Sequence, residues 1–167
     1  MKEPALVIIK PDGISKRLVG SVLTKLAQAN LDLVGIRVVR ASRELAYAHY
    51  KHLESKPFFP QIVSYLAGEY HKTNKLIAVI YYGSRAIKRC RKIAGDTNPE
   101  MADPQTVRGS YGRITRDGLF ENVVHVSSDK KEAEREIKLW FEPDDIIEEI
   151  YPTTIKKVRT YKKKVWT

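Results

Sequence analysis

Five apolar residues in a row, Ala5-Leu6-Val7-Ile8-Ile9, are cut off by the polar turn signal Lys10-Pro11-Asp12-Gly13. Side chains alternate across a strand, so a run that is apolar at every position fits a strand buried on both faces. The rest of the chain offers partners for it. Val34, Ile36 and Val38 alternate as a second strand should. Leu18, Val19, Val22, Leu23 and Leu26 recur at helical spacing. Residues 43–52 and 58–67 read as short helices, Leu76 to Tyr82 as a third strand, 84–93 as a helix and 122–126 as a fourth strand. Residues 94–120 are rich in Gly, Pro, Asp and Asn and read as a long functional loop.

The last helix opens on Asp129-Lys-Lys-Glu132, which has the spacing of a capping box. Ala133, Ile137, Trp140 and Phe141 form its apolar stripe, with Glu136 on the edge. The order β-α-β-α-α-β-α-loop-β-α predicts an α/β (α+β) fold. It is a ferredoxin-like sandwich, a four-stranded antiparallel sheet with helices packed on it. Residues 1–150 read as one domain and 151–167 as a basic C-terminal extension.

Hydrophobic residues at 43% and charged residues at 30% give a globular balance that argues against disorder. No apolar run has the length of a membrane span, and the N-terminus lacks a signal-peptide layout. The single cysteine, Cys90, cannot form an internal disulfide. These features fit a cytoplasmic protein with no membrane partner. The net charge is +10, and Lys156, Lys157, Arg159, Lys162, Lys163 and Lys164 supply much of it with no acid among residues 151–167. Such a tail suits nucleic acid or an acidic surface, and equally a solvated, solubilising end.

Asn122-Val-Val-His125-Val-Ser127-Ser128-Asp129 ends a Val-rich run just before a helix start. Imidazole titrates near neutrality and can serve as a nucleophile there. A helix start offers free N–H groups to a phosphate. Glu136, eleven residues on, can return to the ring and fix its tautomer. Alone, a strand histidine is more often structural. His49, His52 and His71 lack suggestive neighbours and read as surface or local structural residues. There is no P-loop signature and no Cys/His cluster of zinc spacing. Phosphoryl transfer asks for cations, which Lys10, Arg91 and Arg108 can supply, and for hydroxyl donors such as Tyr50 and Thr97. Phe58 is a candidate to stack on a base.

Taken in order, these pieces resemble the nucleoside diphosphate kinases. The matching stretches are Ile9-Lys10-Pro-Asp-Gly13, Leu18-Val-Gly20, His49-Tyr50 and Lys56-Pro-Phe58-Phe59. They continue with Gly95-Asp-Thr97-Asn-Pro99, Thr106-Val-Arg108-Gly109, Asn122-Val-Val-His125-x-Ser127 and Ala133-Glu-x-Glu136-Ile137-x-Leu-Trp140-Phe141.

The resemblance implies transfer of a γ-phosphate from a nucleoside triphosphate to a nucleoside diphosphate. It implies a ping-pong path through phosphohistidine, with Mg²⁺ on the nucleotide phosphates and no protein metal ligand. By the same likeness His125 is phosphorylated on Nδ1, Glu136 holds the other ring nitrogen, and Ser127 sits beside the phosphorylated ring. Lys10 reaches the transferring phosphate and the ribose, and Tyr50 positions Lys10. Arg91, Thr97 and Arg108 clamp the phosphates, Asn122 holds the ribose, and Phe58 and Ile62 sandwich the base. A homo-oligomer is implied, a hexamer or a tetramer of dimers.

Three features depart from the family pattern. Val126-Ser127-Ser128 stands where the family usually has Gly-Ser-Asp, and extra residues lie near Glu69–Lys75 and Ile114–Leu119. A φ above zero at Val126 would strain that residue. An active kinase, a nucleotide-binding regulator without turnover, and a nucleic-acid-binding module acting through the tail are the three functions in view.

Overall fold

The apolar run is the middle of β1 (Lys2–Ile9), and β1 is an inner strand of the main sheet. The computed structural model describes residues 2–157. The sheet joins β1 to β2 (Asp32–Arg40), β3 (Lys75–Ser84) and β6 (Val124–Val126) in the order β2-β3-β1-β6, every pairing antiparallel. Helices cover both faces. On one, α2 (Val19–Ala27) and α5 (Ala86–Ala94) bring Val22, Leu26, Ile87 and Cys90 onto Val7, Ile9 and Val79. On the other, α3 (Arg43–Tyr50), α4 (Phe59–Leu66) and α7 (Lys130–Trp140) bring Ala46, Val63, Leu66 and Ile137 onto Leu6, Ile8 and Ile80. Each such buried Leu or Ile side chain adds about 1.5–3 kcal/mol.

The α/β sandwich with a four-stranded antiparallel sheet is therefore the one read from the sequence. Its details differ where local chemistry is subtler than periodicity. Lys10-Pro11-Asp12-Gly13 is not a simple turn, because Pro11 opens a short helix, α1 (Pro11–Ser15). The first predicted helix of the 43–67 region stops at Tyr50 and continues as a 3₁₀ turn over Lys51–Leu53.

The long loop also carries structure. It holds α6 (Val107–Tyr111) and a two-stranded ribbon, β4 (Arg113–Ile114) with β5 (Phe120–Glu121). Glu121 anchors this ribbon through Arg113 at 2.6 Å and Lys16 at 2.8 Å. The fourth predicted strand is shorter than expected. Val123 has φ +66°, and the Val124 N–H bonds back to the Asn122 carbonyl at 2.7 Å, so the chain makes a γ-turn before β6 begins.

The capping box is half formed. Asp129 caps α7 by accepting from the Glu132 N–H at 3.0 Å, but the Glu132 carboxylate binds Arg135 instead. In β2 a register shift between Leu33 and Gly35 breaks the simple alternation. Val34 is buried while Ile36 and Val38 are exposed on this edge strand. Ile150 and Tyr151 still pack on the core, and Lys156 and Lys157 are exposed. The nucleic-acid reading of the tail rests also on Arg159, Lys162, Lys163 and Lys164, which lie outside the described residues. No helix among the described residues is long and apolar enough to cross a membrane.

Candidate active site

Strand alternation decides which way His125 faces. It pairs with Ile8 across β1–β6, so it lies on the side of α3 and α7, while Val124 and Val126 join the opposite core. Val126 is buried and free of positive φ, so its branched side chain causes no strain there. The strain sits at Val123, where a β-branched residue with φ +66° costs about 1–3 kcal/mol. Two contacts hold that turn. Its N–H donates to the buried Asp12 carboxylate at 3.0 Å, and its carbonyl accepts from the Lys10 N–H at 2.8 Å. Gly13 is needed beside it, because a Cβ at that position would come within 2.9 Å of Ile9 and 3.1 Å of Val123.

Glu136 completes the pair. It follows Ala133 by three residues on α7 and precedes Trp140 by four, which puts it on the buried face. Its Oε1 lies 2.8 Å from His125 Nε2, and its Oε2 accepts from the Ser127 hydroxyl at 2.6 Å. Burial alone would raise this carboxyl's pKa. The neighbouring His125, its hydrogen bond and the Ser127 hydroxyl outweigh burial and hold it below the usual carboxylate range. An ionised Glu136 can only accept, so Nε2 carries the ring proton and Nδ1 keeps the lone pair. Ser127 therefore works from behind the pair. It is fully buried and touches the ring's carboxylate rather than lining the pocket.

His125 opens into a pocket of about 580 Å³. Lys10, Tyr50, Phe58, Ile62, Arg91, Thr97, Arg108, Asn122 and Glu136 also line it, and Ser127 reaches it through Glu136, so the structure gathers the site residues expected from the sequence. The Lys10 amine donates to the Asn122 side-chain oxygen and lies 4.4 Å from the Tyr65 ring centre. The Asn122 amide donates in turn to the Thr97 carbonyl at 2.7 Å. Arg108 reaches inward from α6 and donates to the Gly95 and Val124 carbonyls at 2.9 and 3.1 Å. Burial, and then the neighbouring Arg91, lower its pKa to about 10, so it remains a cation. Lys10, Arg91 and Arg108 form no ion pair among the described residues. Arg91 and Arg108, joined by Lys10 when it is protonated, suit a polyanion. Tyr50 lines the pocket without a bond to Lys10, and burial raises its pKa.

Two expectations are corrected here. Phe58 and Ile62 cannot sandwich a base between them. The Ile62 N–H bonds to the Phe58 carbonyl at 3.1 Å, so the two side chains sit one helical turn apart on the same wall. Further apolar lining comes from Leu119 and Phe120 at the end of the ribbon. His49 was read as a surface or local structural residue. It is fully buried, with its ring centre 4.4 Å from that of His125. His52 also lines the pocket. Their signal was adjacency: His49 precedes Tyr50, and His52 follows it closely.

Two predictions arise directly. Burial lowers the Lys10 pKa to about 7, more than the nearby Asp12 restores. Anionic phosphates raise it again, so binding at a pH of about 8 takes up close to one proton, and at about pH 6 none, because Lys10 is then already charged. Calorimetry in buffers of different ionisation enthalpy measures this uptake, and Lys10→Met should abolish it. Gly95 has φ +86°, and a Cβ there would lie 2.2 Å from the Thr106 hydroxyl that caps α6. Gly95→Ala is therefore expected to destabilise the fold by about 1–3 kcal/mol and to raise the KM for nucleotide by displacing Arg108. Thermal melts and steady-state kinetics check both.

A four-stranded antiparallel sandwich that presents a carboxylate-held histidine to a cationic pocket defines a phosphoryl-transfer site. Residues 3–146 match the family described as nucleoside diphosphate kinase. The chain is 38% identical over 146 residues to the nucleoside diphosphate kinase of Pyrococcus furiosus, covering 87% of each chain. It is 39% identical over 151 residues to that of Pyrococcus abyssi, covering 90% of each. Its fold is similar to the structure of a halophilic nucleoside diphosphate kinase from Halobacterium salinarum in complex with CDP. The TM-score is 0.78 at 34% identity, covering 89% of this chain and 93% of the other. It is also similar to a transition state mimic of the Borrelia burgdorferi enzyme with bound vanadate and ADP. There the TM-score is 0.79 at 25% identity, covering 91% and 93%. The chain belongs to the nucleoside diphosphate kinase family.

Proposed function

We propose that this chain moves a γ-phosphate between nucleotides in two half-reactions, with the phosphate resting on His125 Nδ1 in between. The lone pair of Nδ1 attacks the γ-phosphorus, the bond from that phosphorus to the β,γ-bridging oxygen breaks, and the nucleoside diphosphate leaves with its electron pair. A second diphosphate then attacks the phosphohistidine through a β-phosphate oxygen and regenerates the imidazole. Glu136 stabilises the positive charge that develops on the ring, and Lys10, Arg91 and Arg108 neutralise the phosphates. Asn122 and Thr97 orient the nucleotide, and the apolar wall of Phe58 and Ile62 receives any base by its flat face. The observation that carries this reading is the 2.8 Å bond between His125 Nε2 and Glu136, which leaves Nδ1 as the free nitrogen of a pocket-lining ring.

Mg²⁺ fits this pocket as part of the nucleotide. Glu136, the one carboxylate lining the pocket among the described residues, already binds His125 and Ser127, and Asp129 is spent on Ser128 and the Glu132 N–H. The ion would be held by the phosphates and water, where it neutralises charge, as suits its reluctance to dehydrate.

Self-association is the natural use of the exposed Leu33, Ile36 and Val38 on the edge strand β2. The buried, unpaired Cys90 fits a reducing, cytoplasmic setting. Residues 1–150 form the phosphotransferase unit on this reading, with 151–167 an extension. Steady-state transfer from ATP to GDP tests the function. Parallel double-reciprocal lines are expected as both nucleotides are varied, whereas binding without turnover would make the chain a nucleotide-binding regulator.

A further inference from the structure

One buried imidazole has no part in the reaction described so far. His49 is fully buried in the last turn of α3, and its environment is built around it. The Trp140 indole N–H donates to His49 Nδ1 at 3.1 Å. An indole nitrogen can only donate, so Nδ1 must keep a lone pair, and the single ring proton belongs on Nε2. That nitrogen is buried with no hydrogen-bond partner among the described residues. The ring packs edge-to-face on His125, with centres 4.4 Å apart and planes at 82°. One nitrogen from each imidazole and a Glu136 oxygen lie within 4.8 Å of one another.

The Glu136 bond holds His125 at a single atom. A ring held at one atom can still swing about the line of that bond, and the swing carries Nδ1 off the axis of attack. A second contact away from that line removes this freedom, and the edge of His49 supplies it. Charge matters as well as shape. His125 becomes positive as Nδ1 bonds phosphorus, so a cationic His49 against it would oppose the step. The charged and titratable groups around His49 come from every element packed there. They are His125 on β6, Arg135 and Glu136 on α7, His52 on the 3₁₀ turn, Lys10 after β1 and its neighbour Tyr50. Burial first, and then the neighbouring His125, Arg135, His52 and Lys10, push its pKa well below the usual histidine range.

We propose that His49, held neutral by the Trp140 N–H, is a positioning residue that fixes the plane of His125 and keeps positive charge away from it as Nδ1 attacks. The seat of His49 is itself secured. Arg135 donates to the terminal α3 carbonyls of Ala48 and His49 at 2.9 and 2.7 Å, which ties the end of α3 to α7. The proposal rests on His125 being the phosphoryl acceptor.

The test is rapid-quench phosphorylation by γ-labelled ATP, across a pH series, of the wild-type protein, His49→Ala and Trp140→Phe. His49→Ala is expected to slow phosphorylation of His125 by about 10²-fold, with nucleotide affinity changed by less than about twofold. Trp140→Phe keeps an aromatic ring but frees His49 Nδ1 to take a proton. Its rate should then fall at a higher pH than the wild type's as the solution is acidified. A merely structural role would lower the melting temperature without moving that acid limb. A His49→Ala rate equal to the wild type's, or coincident acid limbs for Trp140→Phe and wild type, would overturn the proposal. Should His49→Ala not fold, the acid limb of Trp140→Phe decides alone. Failure of the wild type itself to form phosphohistidine would instead overturn the reading of His125.

Discussion

His125→Ala is expected to abolish transfer from ATP to GDP, a loss of at least about 10⁴-fold, because no other side chain in the pocket offers a poised nucleophilic nitrogen. Of the other basic pocket nitrogens among the described residues, the Lys10 amine is held by the Asn122 oxygen, and the His52 ring lies against Glu132 and Arg135. The same substitution should also destabilise the fold. Glu136 is 1% exposed, and its ionised form is stabilised chiefly by His125. Removing the partner of a buried charge costs about 3–5 kcal/mol. Without His125, burial is opposed only by the Ser127 hydroxyl and Arg135 among the described residues, so the Glu136 pKa rises. The destabilisation should accordingly shrink as pH falls toward the carboxylate range and grow as pH rises. His125→Asn offers a side-chain N–H to Glu136 and should recover much of the stability and none of the turnover. Thermal melts as a function of pH separate the two effects.

Arg108→Ala is expected to have the second-largest effect. The guanidinium bridges the Gly95 and Val124 carbonyls, one before the long connection and one on the strand of the nucleophile. It also lines the pocket with a charge that forms no ion pair among the described residues. Loss of one such cation from a pre-organised site lowers kcat by about 10²–10³-fold. Lysine is a point charge with no fork, so Arg108→Lys should hold phosphate but fail to bridge two carbonyls. The expected pattern is partial recovery of nucleotide affinity with kcat still low. Full recovery of kcat by lysine would mean that only the charge matters.

Much of this was readable in advance because it depends on local pattern. The run at Ala5–Ile9, the helical spacing in α2 and the stripe on α7 each announce a buried face, and stacking those faces yields the sandwich. The site residues were readable through the spacing of motifs around Lys10, Tyr50, Arg108 and His125. What escaped had no local signal. The helix α6 and strands β4 and β5 are too short for a period to show. Pro-Asp-Gly looks like a turn and is also a sound first turn of a helix.

The γ-turn at Val123 runs against the preference of a β-branched residue and is imposed by Asp12, 111 residues away. His49 meets Trp140 across 91 residues of sequence, so only the folded chain puts it under His125. Phe58 and Ile62 share one wall because one helical turn separates them, a spacing that gives two neighbouring side chains and no opposed pair.

The most direct test of the account is to incubate the protein with γ-labelled ATP, isolate it free of nucleotide, locate the phosphate and then add a nucleoside diphosphate. The expected result is acid-labile, base-stable label on His125 that discharges completely to the added diphosphate, whichever base it carries. Transfer that proceeds with no isolable phosphoprotein, or label that resides on another residue and discharges from there, would contradict it.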